Sequence, residues 1–263
     1  MRVTVLGCGG SAGVPLIGGA DGHGEWGVCD PREARNRRSR ASILVQGRAG
    51  QRLLVDTSPD LRSQLLRCGV PQVDAIVFTH AHADHVTGLD DVRILNRIAR
   101  RPLEAFADAA TLEELTRRFD YAFRPWQPPS FFRPVLTQHQ VAPGQTMEMA
   151  GMDVTVLDQD HGFVHTIGLR IGDFAYSTDV VALDDTAFST LAGIDTWVIS
   201  CFQRAPHPTH AGLDRVLEWV ARLAPRRAVL THMGTDMDWA WLQANLPPGV
   251  EPAEDGMVLE LPG

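Results

Sequence analysis

The sequence contains no lysine; all 24 of its Lys and Arg positions are arginine. This excludes any mechanism that depends on a catalytic lysine, such as a Schiff base. Cysteine is also scarce: Cys8, Cys29, Cys68 and Cys201 are widely separated and form no C-x-x-C pair. Such spacing argues against a disulfide framework and against a zinc site built from thiolates.

Long apolar runs and excess positive charge are missing as well. No run reaches the roughly 18 apolar residues that a membrane-spanning helix needs, so we expect no membrane partner. The first residues, MRVTVLGCGG, lack the apolar stretch and cleavage site of a signal peptide, and we therefore expect a cytoplasmic protein. A formal net charge of −8 disfavours a dedicated nucleic-acid binder, in which basic residues usually dominate.

Strand-like and helix-like segments alternate along the 263 residues. Strands are predicted at residues 2–6, 42–46, 52–56, 73–79, 153–158, 166–171, 174–177, 196–200 and 227–231. Helices are predicted within 56–69, near 89–99, at 213–223, and at 111–119 with Thr111 and Glu114 as a capping box. No linker divides the chain. The pattern is typical of a layered α/β (α+β) fold, and we expect one domain over residues 1–263.

The segment FTHAHADHVTG places three histidines and an aspartate within six positions, directly behind a predicted buried strand. On a strand or tight loop, residues i and i+2 point the same way, so His80 and His82 are expected to converge. Asp84 and His85 follow where the chain turns into the next helix. Imidazole and carboxylate groups suit Zn, Mn, Fe or Ni, and a set without thiolate is typical of catalytic sites.

The motif THAHADH resembles the HxHxDH motif of the metallo-β-lactamase superfamily, and DQDHG, YSTDV and LTHMG resemble its later motifs in order. The resemblance implies a four-layer αββα sandwich with two metal ions at one edge. By that resemblance His80, His82 and His161 would hold one ion, Asp84, His85 and His232 the other, and Asp179 would bridge them with a water. Asp56 in LLVDTSPD matches a superfamily aspartate behind the ligands; it would orient an imidazole, or else serve as a turn residue before a helix.

The segments GCGGSAGVPLIGG, DTSPDLR, GDFAYSTDV and HPTHAGLDRVLEW are similar to the PhnP type, phosphoribosyl cyclic phosphodiesterases. This resemblance implies hydrolysis of a small anionic phosphodiester, such as a cyclic ribose phosphate, with a metal-bridged hydroxide attacking phosphorus. His210 would protonate the leaving oxygen or brace the transition state, and Asp84 is the second residue assigned to catalysis. His207 is treated as a neighbour without a role.

The chain departs from the PhnP type near its N-terminus. Members of that group often carry a structural zinc held by a cluster of cysteines and by a His shortly after the last catalytic His. Here only Cys29 remains, with His23 nearby, and Thr235 stands three residues after His232. We therefore expect two divalent ions, Zn or Mn, and no structural zinc. The basic segment ARNRRSR (34–40) fits either phosphate capture or a solvated loop, and both interpretations stay open.

Several alternatives remain at this point. A tRNA 3′-processing nuclease would use the same ligands, and a PqqB-like carrier would bind without hydrolysis. The segment LGCGGSAG fits G-x-G-x-x-A, but Pro15 and further glycines follow instead of a helix, which favours a tight turn beside the site over a dinucleotide site. The loop RPWQPPSFF (124–132) fits a substrate lid or a contact within a homodimer.

Overall fold

The computed structural model describes residues 1–261 and contains fourteen strands and eight α-helices. The strands are β1 (Arg2–Gly7), β2 (Ser42–Gln46), β3 (Arg52–Val55), β4 (Ala75–Val77), β5 (Leu103–Ala107), β6 (Leu136–Gln140), β7 (Thr146–Met149), β8 (Met152–Asp160), β9 (His165–Ile171), β10 (Phe174–Ser177), β11 (Thr196–Ser200), β12 (Arg227–Thr231), β13 (Val250–Pro252) and β14 (Val258–Glu260). The helices are α1 (Leu61–Arg67), α2 (Ala83–Val86), α3 (Val92–Ala99), α4 (Ala109–Arg118), α5 (Asp120–Phe123), α6 (Asp185–Leu191), α7 (Leu213–Leu223) and α8 (Trp239–Asn245). Among the described residues, no helix has the length and apolar character needed to cross a membrane.

The strands form two seven-stranded sheets, ordered β14-β1-β2-β3-β4-β5-β6 and β13-β12-β11-β10-β9-β8-β7. Both sheets are mixed. In the first, β3 to β6 run parallel, and in the second, β10 to β13 run parallel. The carboxyl ends of parallel strands meet at one sheet edge, which is where ligand sites of such sheets usually lie.

Alternating side chains of the first sheet face two different apolar layers. Leu53 and Val55 of β3 join the core that the two sheets share, whereas Leu54 faces outward. The outward layer packs against α1, α3 and α4, for example at Leu61. Helices α6 and α7 cover the second sheet with side chains such as Val216. The predicted four-layer αββα sandwich is confirmed.

Helix α4 begins earlier than the sequence predicts. Asp108 is its N-cap, and the Asp108 carboxylate accepts a hydrogen bond from Thr111 N at 2.7 Å, so the predicted capping box at 111–114 is wrong. Asp108 is itself a favoured capping residue, and the box pattern starting at Thr111 obscured it. Glu114 is instead free to pair with Arg117 and Arg118, one turn further along the helix.

Candidate metal centre

The ends of four strands deliver the predicted site residues to one edge of the sandwich. His80 and His82 follow β4, and the short helix α2 then carries Asp84 and His85. The remaining three, His161, Asp179 and His232, each follow the end of a strand, namely β8, β10 and β12. Side chains that are far apart in sequence are therefore brought together by strand order, not by local turns.

The seven residues form two groups in which the ligand atoms lie within 4.8 Å of one another. One group is His80, His82, His161 and Asp179, and the other is Asp84, His85, Asp179 and His232. Asp179 belongs to both groups and is nearly fully buried. Its Oδ2 lies 3.6 Å from His80 Nε2 and 3.5 Å from His161 Nε2. Its Oδ1 lies 3.5 Å from His85 Nε2 and 3.1 Å from His232 Nε2, so each carboxylate oxygen faces a different group.

Three of the imidazoles are held from behind through Nδ1. The partners are Thr79 Oγ1 for His80 at 3.1 Å, Asp56 Oδ2 for His85 at 2.7 Å, and the Thr209 carbonyl for His161 at 2.7 Å. Occupying Nδ1 in this way fixes the orientation of each ring and turns Nε2 toward the middle of the site. Sequence reasoning anticipated only Asp56 among these three partners.

Asp56 occupies the position expected of a residue that orients an imidazole. It lies at the end of β3 with φ of 66°, fully buried, and α1 starts only at Leu61. Besides its contact with His85, its carboxylate accepts hydrogen bonds from Thr79 N at 2.8 Å and from Thr79 Oγ1 at 2.9 Å. The alternative of a simple turn residue leaves these three contacts unexplained.

The donor set fits a divalent metal ion. Within the described residues, five buried atoms of the ligand residues make no hydrogen bond: His80 Nε2, His85 Nε2, Asp84 Oδ2 and both ring nitrogens of His232, of which Nε2 faces Asp179. Buried polar atoms without partners are costly and rare in native proteins. Nitrogen and carboxylate oxygen are common ligands of Zn²⁺ and related ions, so a metal ion would satisfy the Nε2 atoms and Asp84 Oδ2.

The electrostatics of the site also favour a cation. Burial alone would lower the pKa of His85, but Asp84, Asp179 and Asp56 face the ring and raise its pKa well above the ordinary value. Burial would likewise raise the pKa of Asp179, yet His232 and His85 lower it well below the usual range. Asp84 and Asp179 therefore stay ionised, and their negative charge favours either a protonated imidazole or a metal ion at this site.

His210 borders the two groups without belonging to either. Its ring centroid lies 4.7 Å from that of His161 and 5.1 Å from that of His232. The His210 Nδ1 atom is buried without a hydrogen bond, and burial lowers the pKa of the ring to about 3. His210 also lines a pocket of about 490 Å³ together with His207, so it stands between the site and open space.

Phe202 is a site residue that sequence reasoning missed. Its ring stacks on His210 at 4.8 Å between centroids, and a Cβ atom on Gly10 would lie 2.7 Å from the ring. The glycine turn after β1 therefore borders the site, as predicted, and it leaves room for this ring. The neighbouring Cys201 is not a candidate nucleophile, because burial raises the pKa of its thiol.

The arginines of residues 34–40 are engaged in contacts within the protein. Arg38 is only 2% exposed and donates to the carbonyls of Gly234 at 3.3 Å and Met237 at 2.6 Å, in the segment after His232. Arg35 pairs with Glu33 and stacks on Trp239, Arg37 stacks on Trp26, and Arg40 pairs with Asp60. These contacts favour a structural role for the segment over phosphate capture.

Cys29, His23 and Thr235 lie where the PhnP type often holds a structural zinc, and they do not form a ligand cluster in the described residues. Cys29 donates from Sγ to the Thr235 carbonyl at 3.3 Å, and His23 lies in an exposed part of the N-terminal segment. Burial raises the pKa of Cys29, which disfavours the thiolate that zinc requires. The absence of a structural zinc stays a prediction.

Comparison with known proteins places the chain in a family. A family model described as a β-lactamase superfamily domain matches residues 51–233. The structure of a diphosphatase of the PhnP family is similar with a TM-score of 0.88 and 34% sequence identity, over 99% of this chain and 98% of that chain. A ribonuclease Z of Mycobacterium sp. (strain KMS) is 26% identical over 238 residues, which cover 77% of this chain and 83% of the relative.

A further relative is longer than this chain. An octanoyltransferase of Porphyromonas gingivalis (strain ATCC BAA-308 / W83) is 31% identical over 260 residues, which cover 98% of this chain but 51% of that protein. This chain thus spans about half the length of that curated relative. The family match, the αββα sandwich and the paired histidine and aspartate groups agree with one another. The chain belongs to the β-lactamase superfamily and is a PhnP-like, metal-dependent hydrolase of the metallo-β-lactamase fold.

Proposed function

We propose that this hydrolase is a phosphodiesterase that acts on a small anionic phosphodiester, with cyclic ribose phosphates as the first candidates. The observation that carries the proposal is the Asp179 carboxylate, whose two oxygens face two separate groups of ligand atoms. Paired metal sites of this kind are typical of enzymes that displace an oxygen at phosphorus. The relatives support hydrolysis at phosphorus, since they include a PhnP-family diphosphatase and ribonuclease Z.

The proposed ligands follow the two groups. His80, His82 and His161 would hold one divalent ion, Asp84, His85 and His232 the other, and Asp179 would contact both. Zn²⁺ and Mn²⁺ both accept this mixture of nitrogen and oxygen ligands. When bound, such ions supply Lewis acidity, which offsets the negative charge of the phosphodiester and lowers the pKa of a water molecule at the site.

The protein's own residues orient the metal ligands and contact the leaving oxygen of the substrate. Asp56, Thr79 and Thr209 hold three imidazoles through Nδ1, so the ligand atoms need little rearrangement when an ion binds. We assign His210, which Phe202 holds at the mouth of the site, to the departing oxygen. Because burial keeps the pKa of this ring at about 3, the ring is neutral near pH 7 and would brace the departing oxygen with a hydrogen bond while the bond to phosphorus breaks.

The first test replaces a ligand. Asp84→Ala should lower hydrolysis of bis(4-nitrophenyl) phosphate by about 10²- to 10³-fold, because a buried carboxylate of the second group is removed. The rate is measured from the absorbance of released 4-nitrophenolate, and metal content is measured in parallel. Asp90→Ala is the matched control, since Asp90 is exposed and lies outside both groups. An Asp84→Ala protein with full activity and full metal content would contradict the proposal.

His210→Ala separates catalysis from metal binding. We expect kcat to fall by about 10²-fold, the usual contribution of a hydrogen-bond donor aimed at developing negative charge, while metal content stays that of the wild type. The substrate should be an alkyl phosphodiester, because a poor leaving group depends more on stabilisation of the departing oxygen than 4-nitrophenolate does. His207→Ala is the control and should keep activity close to the wild type. An equal fall in kcat in His210→Ala and His207→Ala would contradict a specific catalytic role for His210.

A tRNA 3′-processing nuclease is the second candidate, and the ribonuclease Z relatives favour it. The net charge of −8 speaks against it, because tRNA binding relies on many phosphate contacts from cations. Tight, salt-dependent binding of precursor tRNA with cleavage at its 3′ end would reverse the ranking. A PqqB-like carrier would bind its ligand without any turnover, so hydrolysis of any member of a phosphodiester panel decides against it.

A further inference from the structure

The last turn of α4 contacts the loop that connects His80 and His82. Arg118 donates from Nη1 to the carbonyl oxygen of Ala81 at 2.6 Å, across 37 positions of sequence. Ala81 is the single residue between the two histidines. Arg118 also lines a pocket of about 480 Å³ with both histidines, so the contact lies at the open side of the first ligand group.

His82 depends on its backbone for orientation. Its side chain is exposed, and no hydrogen bond to the His82 ring occurs within residues 1–261. His80 and His161 of the same group, by contrast, have partners at Nδ1. The Ala81 carbonyl belongs to the peptide plane that immediately precedes His82. A donor that fixes this plane also limits the direction in which the His82 side chain leaves the backbone.

Arg118 is itself well placed to act as a fixed donor. Its Nε donates to Glu114 Oε2 at 3.0 Å, one helical turn earlier. The helix is anchored by the buried side chain of Leu115 and by the Asp108 cap. The guanidinium is therefore held by the helix and reaches the loop with little freedom. Its contact with a carbonyl is charge-assisted, which makes it stronger than a hydrogen bond between neutral groups.

We propose that Arg118 is a positioning residue that orders the His80–His82 loop before a metal ion binds. The inference rests on the proposed ligand set, because it assigns Arg118 to the group formed by His80, His82, His161 and Asp179. Loss of Arg118 should weaken ion binding at that group and leave the group around His232 unchanged. Partners behind the ligands of metal sites commonly change metal affinity by about 10- to 100-fold.

The test measures metal binding rather than turnover. Metal-free wild-type protein and variants are titrated with Co²⁺, whose visible absorption reports the geometry of each site as it fills. Arg118→Met removes the donor and keeps the apolar stem. Arg117→Met is the matched control, because Arg117 lies on the same helix and pairs with the same Glu114 but makes no contact with Ala81.

The wild type should show two Co²⁺-binding steps. In Arg118→Met the affinity of one step should fall about tenfold or more, and in Arg117→Met both affinities should stay those of the wild type. Arg118→Lys, which keeps a cationic donor, should recover part of the affinity. If Arg118→Met does not fold, Arg118→Ala, which also removes the donor, carries the test: weakening of one step supports the inference, and wild-type affinity overturns it.

Other outcomes overturn the inference in distinguishable ways. Two unchanged binding steps in Arg118→Met, with a raised KM, would show that Arg118 contacts substrate in the pocket instead. Equal weakening in the Arg117 and Arg118 variants would point to α4 as a whole. A wild-type chain without two Co²⁺ steps overturns the inference together with the proposed function, whereas a normal wild type with an unaffected Arg118→Met overturns the inference alone.

Discussion

Asp179→Ala is expected to abolish binding of both ions and to lower phosphodiester hydrolysis by about 10³-fold or more. The reason is geometric: Asp179 is the one residue common to the two groups, and each of its oxygens faces one of them. Its removal would also take away the buried negative charge that attracts cations to the surrounding imidazoles. Metal content by elemental analysis and the rate with bis(4-nitrophenyl) phosphate give the two readouts.

The control for this substitution is Asp158→Ala. Asp158 also lies on a strand near the site, but it is half exposed and pairs with His165, outside both groups. It should retain two ions and wild-type activity. An Asp179→Ala protein that still holds one ion firmly and keeps most of its activity would show that the two groups do not depend on a shared carboxylate.

Asp56→Ala is expected to lower the free energy of unfolding of the metal-free protein by about 3 kcal/mol. The substitution leaves His85 Nδ1 and both Thr79 donors buried without an acceptor. It also places alanine at a positive φ of 66°, where aspartate and asparagine are better tolerated. Urea denaturation of chelated protein, followed by circular dichroism, measures the change.

Asp56→Asn is the matched variant, because it keeps the shape and one oxygen for Thr79 N. It should lose clearly less stability than Asp56→Ala in the metal-free state. It should nevertheless bind metal more weakly than the wild type, since an amide is a poorer partner for the His85 ring than a carboxylate. Unchanged stability in both variants would mean that the Asp56 contacts contribute nothing to the fold.

Most of the interior strands were predictable from sequence, and the edge strands of the two sheets were not. Strands at the centres of the two sheets, such as β2, β3, β10 and β11, are apolar, and their predicted positions agree with the structure within a residue or so. The missed strands are the interior strand β5 and the four edge strands β6, β7, β13 and β14. Edge strands are short and partly polar, as in the sequence LTQHQ of β6, so they lack the apolar pattern on which such prediction depends.

The candidate site was also predictable only in part from sequence. The spacing of His80 and His82 is local, and the sequence alone indicates that these two side chains converge, as they do in the first group. Contacts made by backbone carbonyls are invisible to such reasoning, as with Thr209, which accepts from His161 across 48 positions. The single-domain organisation, cytoplasmic location and homodimer stay predictions, because they depend on boundaries or contacts beyond this site.

The central claim is that seven side chains, which follow the ends of four strands, hold a pair of divalent ions. Elemental analysis of purified wild-type protein, expressed with added Zn²⁺ or Mn²⁺ and compared with Asp179→Ala, tests it most directly. We predict two ions per wild-type chain and none in the variant. A wild-type chain that contains no divalent ion after supplementation would contradict the account.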